Sequence, residues 1–450
     1  MHLVGKMDPR SFLRFTLTTV VLAALNACVS YSAKPLPESS SLVSHFHLDS
    51  FPRKAELEAK GVNFADGLNS SEFVTLAVEL SPDLQLVRDD ELIAERSMLG
   101  NSPGSVLSLG YGEILNKPIG TYNAGIGFDV NSLLTLPSRK RQEREERRRG
   151  SLARIWQEWQ VAGQARIIFA RYYFQSKILN SLLETSKLIN EKIEHMDEAL
   201  KEGEVAISIV AVELSSRSDI NSKINDAEKA QLQNSSDIAA LLGFSPDLKL
   251  DLQYDLQLKS HTDEEVEHAL ESLPRRRPDL AALQISYKQE EEKVYQAVLA
   301  QFPSLSIGFT RSRDNSNVTD SVVGITLNVP IFYRGKDGVR LEEATRQKQW
   351  DEYRNRLNQS VADLKRIMME RRLLLKQMEM VRIELPRLEK ASQQANSALI
   401  SGNIDALTYS DIRMAYLNKK IQSFTLDELL IDREITIETL IGAELPRSEK

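Results

Sequence analysis

Cysteine and proline are scarce in this sequence, which has one cysteine and 15 prolines in 450 residues. The single cysteine, Cys28, excludes a disulfide bond within the chain. No phosphate-binding Gly-Lys-Ser/Thr loop is present, so any work against a gradient is expected to draw its energy from a partner. Charged residues make up 27% of the chain and hydrophobic residues 42%, which indicates a folded, helix-rich protein.

Excess positive charge and clustered metal ligands are absent too. The net charge of −7 gives no support to a nucleic-acid partner. The basic run 139–149 is interrupted by three glutamates, which predicts a solvated helix face with mixed-sign pairs. The histidines are scattered, and the close pair His45 and His47 has no further ligand nearby. The sequence therefore predicts no enzyme, no catalytic residue, no metal site and no cofactor.

An export signal occupies the N-terminus. Three basic residues precede the apolar stretch 15–25, which is far shorter than the ~20 residues that a helix needs to cross a bilayer. The following Leu-Asn-Ala-Cys resembles a bacterial lipobox, which implies lipidation at Cys28. Val29, in place of the Asp that resembles an inner-membrane retention signal, favours the outer membrane. An ordinary signal peptide followed by a chance cysteine is the alternative.

The chain repeats itself at long range. The segment Ala199–Ile207 reads again as Ala398–Ala406, and the central glycines, Gly203 and Gly402, give the offset as 402 − 203 = 199. A period this long is not a solenoid unit of ~20–50 residues, so it indicates a duplicated half-protein.

Each copy is predicted to contain a strand pair, a very long helix, a glycine turn and a second long helix. The predicted boundaries are a signal peptide, 1–27; a lipidated tether, 28–64; a first repeat, 65–243, with strands in 105–131 and helices 138–200 and 206–242; an equatorial linker, 244–275; a second repeat, 276–442, with strands in 304–330 and helices 338–400 and 406–441; and a tail, 443–450.

The long helices carry a coiled-coil period. Eleven positions per arm are spaced by alternating steps of three and four residues, which is the 3.5-residue period of left-handed coiled coils. Nine of the eleven in each arm are apolar or aromatic. Pro386 interrupts only the second arm and is expected to kink it locally. The positions are Ala165, Ile168, Tyr172, Gln175, Leu179, Leu182, Ser186, Ile189, Ile193, Met196 and Leu200, and Leu364, Ile367, Arg371, Leu374, Met378, Val381, Leu385, Leu388, Ser392, Ala395 and Leu399.

Four segments of about nine residues alternate between apolar and small or polar side chains, as transmembrane β-strands do. Strands in a membrane must close into a barrel, which takes at least ~8 strands, so four per chain require several chains. An eight-stranded barrel is filled by side chains, and a conduit therefore favours three or more chains. The predicted fold class is mainly α, with four transmembrane strands per chain completed by oligomerisation and coiled-coil helices forming a periplasmic α-barrel.

The order of these elements resembles the TolC-like outer-membrane efflux family, in its lipoprotein branch. The most specific local matches are Arg276–Ala282, Ala300–Gly308 and Val323–Phe332, and the resemblance extends from about 65 to 442. It implies a homotrimer with a twelve-stranded barrel in the outer membrane and a tapering periplasmic tunnel. A periplasmic adaptor and an inner-membrane pump are implied as partners, with outer-membrane lipid around the barrel.

The same resemblance assigns residues at the far end of the tunnel. Gly203 and Gly402 match the turns at which the adaptor docks. Family members often carry acidic residues six and nine positions after the second glycine, where this chain has Thr408 and Asp411. Asp411 and Asp405 are therefore the candidate aperture residues, and a solvated helix carboxylate is the alternative for Asp411.

Two functions are compatible with these features. The first is a passive trimeric exit duct of a tripartite efflux or export system. The second is a periplasmic coiled-coil lipoprotein with an adaptor or structural role, which would not need two matched pairs of amphipathic strands.

Overall fold

The computed structural model describes residues 33–38, 53–64, 67–100, 107–114, 121–246, 250–255, 260–328 and 336–442. Residues 33–38 belong to an N-terminal unit, Met1–Leu42, and are exposed without regular structure. All elements below belong to the second unit, Val43–Lys450. The predicted lipidation site Cys28, the pair His45 and His47, and the predicted tail lie outside the described residues.

The described elements follow one another in two similar halves. The first half contains α1 (Lys54–Ala59), α2 (Ser70–Leu80), α3 (Pro82–Gly100), β1 (Leu107–Ile114), β2 (Thr121–Asp129), α4 (Val130–Lys201) and α5 (Ile207–Leu242). The second contains α6 (Asp263–Arg276), α7 (Pro278–Leu299), β3 (Ser304–Arg313), β4 (Thr319–Asn328), α8 (Lys336–Ile400) and α9 (Ala406–Ile441). The mainly helical class and the four predicted strand segments are confirmed.

The four strands form one antiparallel sheet in the order β1-β2-β3-β4. The predicted pairs are each a hairpin, and β2 pairs with β3 to join the two halves. The register stacks apolar side chains in rows across the sheet, such as Ile126–Phe309–Val323. The alternate rows carry small side chains, such as Ser108–Gly127–Gly308–Gly324.

Helix α4 is longer than the sequence predicted. It begins at Val130, directly after β2, and not at 138. Proline lacks a backbone N–H and usually marks a helix boundary, which is why the prediction started after Pro137. In the structure Pro137 lies inside the helix. Similarly, α8 begins at Lys336 and continues as one helix through Pro386, so the predicted kink stays a prediction.

The coiled-coil positions are buried or half-buried, as their period predicts. Leu182, Ile189 and Ile193 in α4 pack with residues of α5 and α9, and Leu374, Met378 and Val381 in α8 pack with α9. One predicted core position is charged, Arg371, and it is also buried. Its guanidinium donates to the backbone oxygen of His261 at 2.6 Å and forms ion pairs with Asp263 and Glu434.

The segments around the repeats contain more structure than predicted. Within the predicted tether, α1 buries Leu57 completely in a core shared with α2, α4 and α5. A six-residue helix is too short to show a helical period in sequence. In the linker, α6 begins with a capping box between Thr262 and Glu265 and extends past Pro274 to Arg276. Among the described residues, no helix is both long and apolar enough to cross a membrane.

Candidate functional site

Two helical hairpins end in nearly identical glycine turns. Gly203 and Gly402 adopt left-handed conformations, with φ of 77° and 70°. In the first turn, the Glu204 N–H donates to the Ala199 oxygen at 2.9 Å and Gly203 to Leu200 at 3.2 Å. The second turn repeats both bonds at 2.9 and 3.0 Å. This is a Schellman motif, which satisfies the last carbonyls of α4 and of α8.

The space around both glycines is open, since a β-carbon built at Gly203 or Gly402 meets no atom within 4 Å. The requirement for glycine at these two positions therefore comes from the backbone conformation and not from crowding. An open, exposed turn is also accessible to another protein.

The two turns differ in how the next helix begins. Asp405 caps α9, because its Oδ1 accepts the Thr408 N–H at 2.7 Å. This bond to the Thr408 backbone lowers the pKa of the exposed Asp405 carboxyl. The cap is therefore fully formed above the ordinary Asp range and is lost as the pH falls through the lowered pKa. The equivalent residue in the first turn, Ala206, makes no side-chain cap.

Polar contacts join the two hairpins a few turns behind the tips. Lys192 of α4 forms an ion pair with the buried Glu213 of α5, and its ammonium lies 4.2 Å from the ring centroid of Tyr409 of α9. Ser216 of α5 and Ser410 of α9 are 2.7 Å apart at their hydroxyl oxygens. These contacts hold α9 against the first hairpin.

A groove of about 810 Å³ lies between the hairpins in the same region. Its lining combines hydroxyl, charged and apolar side chains from α4, α8 and α9, including Thr185, His195, Ser392, Asn396 and Arg413. Asp411 is exposed on α9 and does not line this groove. The structure thus brings Gly203, Gly402 and Asp405 to the turns and leaves Asp411 on an open helix surface.

The second candidate functional element is the sheet, at the other end of the long helices from the glycine turns. Large apolar side chains of one face are exposed, among them Phe309, Val323 and Ile325. The other face carries mainly glycine, serine and threonine, together with Asn123, Asp320 and Val322. Strands β1 and β4 each have only one partner strand within the described chain. An exposed apolar face together with two open edges requires a partner surface.

The motif Arg276–Ala282 forms a buried charge cluster between α7 and α4. Arg277 is 2% exposed and holds Asp279 with two hydrogen bonds, at 2.7 and 3.0 Å. Arg356 donates to the same carboxylate at 2.8 Å, and the Arg277 guanidinium lies 4.5 Å from the centroid of Trp156. Burial opposes ionisation of Asp279, but the two guanidinium groups outweigh it, so the pKa of Asp279 is lowered.

Comparison with known proteins agrees with this geometry. Residues 269–443 match the model of the outer membrane efflux protein family. This match covers the second repeat and agrees with the family resemblance of the sequence. No curated protein sequence matches the chain significantly.

Several solved channel proteins share the fold of this chain. CusC matches with a TM-score of 0.70 at 15% identity, over 92% of this chain and 99% of CusC. The CmeC channel of Campylobacter jejuni matches with 0.70 at 15%, over 94% of both chains. The open state of the Neisseria gonorrhoeae MtrE channel matches with 0.64 at 14%, over 93% and 99%. At this identity the likeness shows the fold alone.

The sequence did not indicate the contacts that join the hairpins. Lys192, Glu213 and Tyr409 are far apart in the chain, and each has the pattern of an ordinary helix residue. The only signal was at Tyr409, an aromatic residue directly behind a predicted tip.

Proposed function

We propose that three copies of this chain form a passive exit duct from the periplasm to the outside of the cell. The observation that carries the proposal is the sheet, with one apolar face, one small-residue face and two open edges. Pairing of β4 with β1 of the next copy would satisfy both edges and place the apolar face in lipid.

The number of copies follows from the strands. Two chains give eight strands, whose interior side chains fill, whereas three give twelve and leave room for water. The small-residue face then lines the lumen. A coiled-coil adaptor lipoprotein, the alternative function, has no use for such a sheet.

The paired tips lie at the other end of the long helices and are the proposed docking surface of a periplasmic adaptor. Both tips carry an open turn, at Gly203 and Gly402, and an inner-membrane pump acting through the adaptor would supply the energy. Asp411 and Asp405 are proposed to add negative charge at the aperture. Lipidation of Cys28 would anchor the duct to the same membrane.

Cysteine cross-linking tests the shared barrel. In a Cys28→Ser background, Gly110→Cys on β1 is combined in turn with Val322→Cys, Gly324→Cys or Thr326→Cys on β4. These positions share the small-residue face. We expect one combination to form disulfide-linked multimers in outer-membrane fractions, with heat-modifiable mobility of the unlinked trimer.

Two results would contradict the duct. One is a Cys28→Ser protein that is extracted completely as a soluble protein, since strands in a barrel hold the chain in the membrane without a lipid anchor. The other is cross-linking that occurs only within single chains, because β1 and β4 would then close on each other.

Substitution at a tip separates docking from assembly. Gly402→Trp forces a bulky residue into a left-handed conformation that costs roughly 1–2 kcal/mol, while Gly402→Asn is tolerated there. We expect the Trp variant to form normal trimers but to lose drug or metal resistance in cells, and the Asn variant to keep it. Full resistance from Gly402→Trp would show that the turn is not a docking site.

A further inference from the structure

A second groove lies between α4 and α7, close to the sheet. It encloses about 600 Å³ and is lined by both cationic and anionic side chains. Arg141, Arg144 and Lys288 supply its positive charge. The adaptor and tip assignments do not involve this groove, which lies at the opposite end of α4.

An exposed apolar surface extends from the groove towards the sheet. Tyr295 lines the groove and is 54% exposed, and Phe302, seven residues later, is 62% exposed. Val298 lies between them and is also exposed. Phe302 is two residues before β3, so an exposed apolar strip connects the groove to the apolar face of the sheet. Aromatic side chains in such a position are typical of the membrane–water interface.

The cations of α4 lie within reach of this interface. Arg141 follows the end of β2 by 141 − 129 = 12 residues, or about 18 Å of helix. Side chains in a helix lean towards its N-terminus, which in α4 is the end at the sheet. The long arginine side chain therefore extends back towards the headgroup layer and ends within about one Debye length, ~8–10 Å, of it.

The groove faces outward and not into the lumen. Arg141, Arg148 and Phe169 occupy the same heptad position, since 148 − 141 = 7 and 169 − 148 = 21. Phe169 is covered by α2, with ring centroids of Phe73 and Phe169 5.8 Å apart. The α1–α2 core on this face would obstruct a conduit, so the face belongs to the outside. Helices α3 and α7 of the same chain flank α4, and Arg141, Arg144 and Arg148 of α4 are exposed.

Two of the three carboxylates that line the groove already accept hydrogen bonds. Glu292 accepts from Ser138 at 2.6 Å and from Arg141 at 3.3 Å. Glu291 accepts from Tyr287 at 2.5 Å and from Arg346 at 3.2 Å. The third, Glu145, has no partner in the described part of the chain.

The basic side chains, in contrast, retain free donors. Within the described residues, Arg144 and Lys288 form no ion pair and no side-chain hydrogen bond, and Lys140 and Arg148 on the same side of α4 form none either. The stretches that precede β1 and follow β4, 101–106 and 329–335, contain no aspartate or glutamate that would neutralise them.

We propose that this groove binds the headgroup of an anionic phospholipid from the periplasmic leaflet of the outer membrane. The phosphate is held by Arg141, Arg144 and Lys288, and the acyl chains lie along Tyr295, Val298 and Phe302. A basic cluster next to a membrane-spanning element is the arrangement that attracts anionic lipid. The inference rests on the proposed function, because it requires the sheet to lie in the membrane.

Native mass spectrometry of the full-length trimer in detergent tests the site. The trimer is titrated with dioctanoyl phosphatidylglycerol, with dioctanoyl phosphatidylcholine as the zwitterionic comparison and inorganic phosphate as competitor. We expect saturable binding of one phosphatidylglycerol per chain, and about 30-fold weaker binding after Arg141→Gln/Arg144→Gln, because each basic residue near a headgroup contributes about 1 kcal/mol. Lys288→Gln alone is expected to weaken binding less.

The second repeat offers a matched control. Arg340 corresponds to Arg141 by the repeat offset, and Lys348 is a second exposed cation on α8. The pair Arg340→Gln/Lys348→Gln removes the same charge and should leave lipid binding unchanged.

Several outcomes would overturn the lipid site. These are equal loss in the control pair, unchanged binding in both groove variants, equal affinity for phosphatidylcholine, or displacement of the lipid by phosphate at similar concentration, which would indicate a free-anion site. Absence of a heat-modifiable trimer would instead contradict the proposed function, so the two failures are distinguishable.

Discussion

Replacing Arg277 with alanine is expected to lower the free energy of unfolding by about 3–5 kcal/mol, the cost of breaking a buried ion pair. The substitution leaves Asp279 with only Arg356 as its charge partner among the described residues and removes the cation–π contact with Trp156. Thermal unfolding of the purified protein, followed by helical circular dichroism, measures the loss. Because the cluster joins α7 to α4 and α8, we also expect a lower yield of the proposed trimer.

Two further variants make this result specific. Arg275→Ala removes an exposed arginine two residues away and should change stability by less than ~0.5 kcal/mol. Arg277→Lys keeps the charge but loses the planar fork that holds both Asp279 oxygens, so an intermediate loss is expected. If Arg277→Ala and Arg275→Ala unfolded alike, the cluster would not contribute to stability.

Placing an arginine at Val323 is expected to abolish assembly. Val323 lies on the apolar face near the middle of β4, and an arginine facing lipid at the bilayer midplane costs about 2–4 kcal/mol per chain. Three copies in one barrel multiply that penalty. The measurement is the heat-modifiable trimer in outer-membrane fractions, which should disappear.

The adjacent residue is the control. Val322 is also an exposed valine, but it lies on the small-residue face in the row Gly110–Gly125–Thr310–Val322. In a duct this face meets water, so Val322→Arg should assemble normally. Equal effects of the two substitutions would mean that the faces do not meet different solvents.

The duplicated plan of the fold was predictable because local chemistry carries it. Glycine at Gly203 and Gly402 is required by backbone conformation, and alternation in the strands is required by the pleat. Both leave a periodic trace in sequence, and the offset of 199 located each copy from the other. The buried heptad positions followed from the same reasoning.

Contacts between distant segments left no such trace. Arg371 is a charged residue at an apolar heptad position, and the sequence alone did not explain it. Its ion-pair partners, Asp263 and Glu434, come from the linker and from α9. The basic run 139–149 was interpreted as solvated, and the groove that it lines exists only because α7 packs beside it. The predicted start of α4 was wrong because proline was assumed to mark the helix boundary. The helix instead begins directly after β2 and includes Pro137.

The row Ser108–Gly127–Gly308–Gly324 has a consequence for what the barrel can recognise. Three of its four positions are glycines, which present only backbone, and pairing between copies would commit the amide and carbonyl groups of that backbone to the sheet. In the proposed trimer this row would recur in each copy and form a ring around the lumen, near the end of the barrel that joins the helices. The ring would offer few side chains that could bind a passing molecule. Such a ring would neither retain cargo nor discriminate between cargo molecules. Any choice of cargo would then have to be made before the barrel, at the periplasmic end.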